Sequence, residues 1–108
     1  MTYQIRRVTD TYYGIVKVLA TADTLTDARL KAIRLLKKYN WKPRKSENFA
    51  SLEIVDPSKG NWGLMGDVAI NRDGIALWFA GGNKCHVIYK NGRIGPETKF
   101  YDGKYDKF

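Results

Sequence analysis

Residues 24–45 read TLTDARLKAIRLLKKYNWKPRK, and this stretch decides how the rest of the chain must be organised. Leu25, Ala28, Ala32, Leu35, Leu36 and Tyr39 recur at intervals of three and four, which puts them on one side of an α-helix. Lys31, Arg34, Lys37 and Lys38 fall on the opposite side. Thr24 is a suitable N-cap, and Asp27, three residues on, is a capping-box partner that suits the positive helix end. Asn40 and Pro43 stop the pattern, because Asn tolerates a left-handed C-cap and proline disfavours helix in the residue before it. The stretch therefore predicts a helix with one dry face and one basic face. Leu30, on the basic side, does not fit.

The same stretch also holds the charge. Arg29, Lys31, Arg34, Lys37, Lys38, Lys42, Arg44 and Lys45 supply eight positive charges with no acidic residue among them, and the formal net charge is +8. The remaining eleven basic residues balance the 11 acidic ones. A cationic segment of this kind attracts polyanions, because neutralising phosphates releases their condensed counterions whatever the base sequence. Trp41, inside the basic run, is of a type that stacks on exposed bases. These features predict a non-catalytic contact with DNA or RNA, low in sequence specificity, through Arg34, Lys37, Lys38, Trp41, Lys42, Arg44 and Lys45.

Other readings fit the same residues. A charge run is often just a solvated helix face, and a tryptophan past a helix end often plugs a core. A basic, aromatic surface also suits a small inhibitor or adaptor, of the kind phages and mobile elements encode. Such a protein docks on an acidic protein surface or occupies another protein's nucleic-acid groove. A membrane-surface helix is disfavoured, because a sheet needs the apolar face.

Composition sets the wider frame. At 108 residues the chain is expected to form a single domain, residues 1–108, with a modest core. No apolar run approaches the roughly 20 residues of a membrane span, and Met1 to Asp10 lacks the apolar segment of a signal peptide. Cys85 is the only cysteine, which excludes an intrachain disulfide and points to a reducing, cytoplasmic setting.

Around the helix, the sequence predicts strands. Tyr3 to Val8 and Tyr12 to Ala20 read as a pair joined at Thr9-Asp10, and Ser51 to Val55 as a short strand. Asp56-Pro57-Ser58-Lys59-Gly60 is a turn. From Asp67 a meander begins, with Asp73-Gly74 and Asn91-Gly92 as two-residue hairpin turns. A two-residue turn at Asp73-Gly74 would set Ile70 opposite Leu77 and Val68 opposite Phe79, on the face that the helix covers. Ala69, Ala76 and Trp78 would then line the other face, joined by Val87 and Tyr89 if Gly82-Asn83 is the next turn. The tail from Lys99 to Phe108 would pair as an edge strand or stay loose. The fold class is α+β: one long amphipathic helix packed on an antiparallel β-sheet with a C-terminal β-meander.

Remaining candidates for chemistry are few. Trp78 with Tyr89 and Val87 would form a stacking platform if their face were open. His86 is the only histidine; beside Cys85 in a strand it would point to the opposite face, which does not make a metal site. Acid–base work by His86 would need Asp67, Asp73 or Glu53 beside it. Gly60 to Gly66 lacks the endings of nucleotide-binding loops and reads as a surface loop presenting Trp62 and Met65. No metal, cofactor or catalytic residue is expected.

A helix ending in Asn40-Trp41, followed by Lys42-Pro43-Arg44-Lys45 and the strand Ser51 to Val55, resembles the helix–Gly-Trp–basic–strand arrangement of HicA-type mRNA interferase toxins. The catalytic Gly-Ser-His of that family has no counterpart, since Ser46 is followed by Glu47. The resemblance therefore implies no activity for this chain.

Overall fold

A computed structural model describes residues 2–10, 15–39, 49–71, 74–81, 84–101 and 104–105. Eight antiparallel strands form one sheet in the order β2-β1-β3-β4-β5-β6-β7-β8. They are β1 (Tyr3–Asp10), β2 (Ile15–Ala22), β3 (Phe49–Val55), β4 (Leu64–Asn71), β5 (Ala76–Gly81), β6 (Lys84–Ile88), β7 (Ile94–Tyr101) and the short β8 (Lys104–Tyr105). The helix α1 (Leu25–Lys38) crosses one face of the sheet, over β1 to β4, and returns the chain so that β3 pairs with β1. From β3 onward each strand pairs with the next, a continuous meander. The α+β architecture is the expected one, and the tail pairs as an edge strand through Phe100↔Tyr105.

The helix begins as its sequence dictates. Thr24 is extended at φ −127°, and its hydroxyl accepts from the Asp27 N–H at 3.1 Å. The Asp27 carboxylate is turned along the helix, 3.6 Å from Lys31 Nζ. Ala28, Ala32 and Leu36 are buried against Ile5, Leu52, Ile54 and Val68 of the central strands. Such a core is stabilised by removing apolar area from water, about 25 cal/mol per Å².

The meander departs from the expected register. Ile70 pairs with Ala76, Ala69 with Leu77, and Val68 with Trp78. The connection between β4 and β5 is therefore longer than a two-residue turn, and every side chain of β5 is shifted by one relative to β4. Because side chains alternate at a period of two, that shift exchanges the faces. Trp78 and Ala76 join Val68 and Ile70 beneath the helix, while Leu77 and Ala69 are buried on the opposite face. The exchange leaves the architecture intact because both sets are apolar.

Two more turns differ from expectation. Thr9 and Asp10 belong to β1 and do not form the expected turn; residues 11–14 lie outside the described residues. Between β6 and β7, the Tyr89 N–H donates to Arg93 O at 2.8 Å and the Gly92 N–H donates to Tyr89 O at 2.9 Å. This is a three-residue loop closed by a left-handed residue, Gly92 at φ +84°, and not a two-residue turn. The Asp56–Gly60 turn belongs to a pair of 3₁₀ turns over Pro57–Trp62, kinked at Gly60 and capped by the Asp56 carboxylate. Met65, expected in a surface loop, is half-buried in β4 against the core. The Trp62 side chain, like Asp73 and the Gly82-Asn83 turn, lies outside the described residues.

Candidate nucleic-acid interface

The fold divides the cations that run from Arg29 to Lys38. Arg29 is only 8% exposed, and its guanidinium lies 4.6 Å from the centre of the Trp78 ring. One of its N–H groups donates to the Gly92 carbonyl at 3.3 Å, while Nε is buried with no hydrogen-bond partner among the described residues. Burial lowers its pKa, because desolvation penalises the charged form. Arg29 is therefore a packing residue that ties α1 to the β6–β7 loop. Leu30, which fits neither helix face, has its explanation at the same place. A Cβ on Gly92 would come within 2.7 Å of Thr26 Cγ2 and 2.9 Å of Leu30 Cγ, so the loop lies directly on the helix.

Lys31 is also engaged. Besides approaching Asp27, its ammonium donates to the Thr21 carbonyl at 2.8 Å. Beyond Lys31 the pattern changes. Arg34, Lys37 and Lys38 are all exposed on the outward side of α1. Among the described residues, neither Arg34 nor Lys37 has a carboxylate within ion-pair distance. Arg34 and Lys38 are four residues apart, about 6 Å along the axis at 1.5 Å per residue, with Lys37 between them. The structure thus brings these three predicted residues together. Trp41, Lys42, Arg44 and Lys45 lie outside the described residues.

Tyr39 was expected on the dry face. It closes the helix as its C-cap residue, its N–H donating to Leu35 O at 3.1 Å, and the residue is 54% exposed. Lys38 Nζ stands 5.5 Å from its ring centre.

Trp78, Val87 and Tyr89 do not form an open stacking platform. Trp78 is 3% exposed beneath Arg29, and its six-membered ring lies so close over Gly66 that a Cβ there would come within 2.7 Å. A bulge in the β5–β6 ladder sets Trp78 opposite His86 and Leu77 opposite Val87, so Val87 is on the other face. Tyr89 is exposed, but at the β6–β7 loop.

The acid–base candidates are separated in the same way. His86 shares the Trp78 side of the sheet, whereas Glu53 pairs with Asp67, and Asp67 with Phe79, on the other side. His86 Nδ1 lies 2.8 Å from the Gly95 carbonyl, which only accepts, so Nδ1 carries a proton there. Asp67 is pushed up to about 6, first by burial and then by the facing charge of Glu53. Cys85 is a buried free thiol whose pKa burial raises. Among the described residues no three His, Cys, Asp or Glu side chains gather as a metal would require. No described helix is long and apolar enough to cross a membrane.

Compared with models of known families, with curated proteins and with solved structures, the chain matches none. The resemblance to HicA-type interferases thus finds no support, and the functional reading rests on the geometry alone.

Two residues escaped the sequence pattern. Arg29 sits at the boundary of the apolar stripe, and its only advance signal was the misplaced Leu30 next to it. Tyr39 continues the helical spacing past the point where the sheet still covers the helix.

Proposed function

We propose that the protein is a non-catalytic nucleic-acid-binding protein of low sequence specificity, acting in the cytoplasm. Arg34, Lys37 and Lys38 grip phosphates from the outward side of α1, and Lys42, Arg44 and Lys45, with Trp41, extend the contact. One observation carries this reading: the cations in the second half of α1 stand exposed, Arg34 and Lys37 without a carboxylate partner among the described residues. Those nearer its start are absorbed by the fold. Exposed cations spaced along a helix meet a phosphate backbone by counterion release, which needs no base recognition. DNA and RNA both offer that backbone.

The test is binding of labelled oligonucleotides by the intact protein across a salt series. Log affinity should fall linearly with log salt. Absence of binding even at about 50 mM salt removes the reading. The basic surface would then suit an acidic protein partner, as for a small inhibitor or adaptor.

A further inference from the structure

We infer that Tyr39 is a base-stacking residue and that the ligand of the α1 ridge is single-stranded nucleic acid; this rests on the phosphate-binding reading above. Tyr39 ends the helix directly after its exposed basic residues, and the next basic residue in the sequence is Lys42. Tyr39 is 54% exposed, more than any other large hydrophobic residue among those described. Its backbone is fixed by the N–H bond to Leu35 O, so the ring is carried on an ordered helical end.

Lys38 Nζ, 5.5 Å from the ring centre, holds a cation within one nucleotide's reach of a base stacked there. Arg34 and Lys37 are exposed on the same last turns. A phosphate–base–phosphate path therefore has a partner for each part. Bases in a duplex have their faces covered by neighbouring pairs, so an aromatic ring of this kind selects unstacked nucleotides. The other aromatic available to compare is Tyr89, exposed on the β6–β7 loop beside the start of α1. The β6–β7 loop rests on the helix at Thr26 and Leu30, about 13 Å along the axis before Tyr39, so Tyr89 serves as an exposed aromatic away from the helix end.

The experiment measures fluorescence anisotropy of a labelled oligothymidylate and of a duplex of equal length, with wild-type protein, Tyr39→Ala, Tyr39→Phe and Tyr89→Ala. Tyr39→Ala should weaken single-strand binding by about fivefold or more, with the salt slope unchanged, because a stacking contact releases no counterion. Duplex binding should change less than about twofold, and Tyr39→Phe and Tyr89→Ala should match wild type. An effect of Tyr39→Ala that is absent, or equal on both ligands, overturns the inference. Wild-type binding to duplex alone also overturns it but leaves the ridge standing, whereas no binding to either removes both. Should Tyr39→Ala fail to fold, photo-crosslinking of wild type to 5-iodouracil oligonucleotide decides: a crosslink at Tyr39 supports stacking, and crosslinks only elsewhere overturn it.

Discussion

In the first half of α1 the basic side chains are tied to the protein. Arg29 lies against Trp78 and the Gly92 carbonyl, and Lys31 against Asp27 and the Thr21 carbonyl. In the second half, Arg34, Lys37 and Lys38 point outward from a helix whose other side is just as buried. The difference comes from the far end of the sheet. The β6–β7 loop reaches the helix at Thr26 and Leu30, so a residue one turn from the N-cap faces protein on two sides. Charge along a sequence therefore does not measure charge available to a partner; the reach of the opposing sheet decides.

That comparison can be broken most severely at the shared dry face. Leu36→Ala should cost about 2–5 kcal/mol in a denaturant melt, since a fully enclosed leucine leaves a cavity. A loss below about half a kcal/mol would mean that the second half of α1 is not packed as described. Next is the contact that separates the halves. Gly92→Ala puts a Cβ against Thr26 and Leu30 at a positive φ, and should cost about 1–3 kcal/mol. Unchanged stability would show that the β6–β7 loop does not rest on the helix.

A buried charge elsewhere sharpens the rule that enclosed ionisable groups feel the fold. The folded pKa of Asp67, about 6, is above its ordinary 3.8, so the folded state holds the extra proton between those values. Stability is lost as pH rises through that window. Asp67→Asn should therefore raise stability by about 1–2 kcal/mol near pH 8, discounted for its partial exposure, and the gain should vanish near pH 4. An equal effect at both pH values would contradict the burial. Smaller still is the expected effect of Arg29→Met. Replacing a buried cation by an apolar chain of similar length should leave stability within about 1 kcal/mol of wild type, or raise it. A loss of about 3 kcal/mol would show that the charge itself, and not the stem, holds the loop.

The sequence made the helix plain because its apolar positions follow one period over four turns, with Thr24 to start it. It made the meander plain but not its faces. Between Asp67 and Phe79 both sets of alternating residues are apolar, Val68, Ile70, Ala76 and Trp78 against Ala69, Leu77 and Phe79. Only the length of the β4–β5 connection and the bulge in the β5–β6 ladder decide between them, and neither is encoded by alternation. At the candidate site, Arg34, Lys37 and Lys38 were legible from helical angle. Arg29 and Tyr39 were not, because their surroundings depend on where distant strands end.

The exposed half of α1 can be tested most directly by removing its charge. Arg34→Ala, Lys37→Ala and Lys38→Ala together should change thermal stability by less than about half a kcal/mol, as solvent-facing substitutions do. In oligonucleotide titrations across salt, the triple variant should weaken every sequence alike and lower the slope of log affinity against log salt by about three. An unchanged slope and affinity, from a variant that folds as wild type does, would contradict the central claim that these cations bind phosphates.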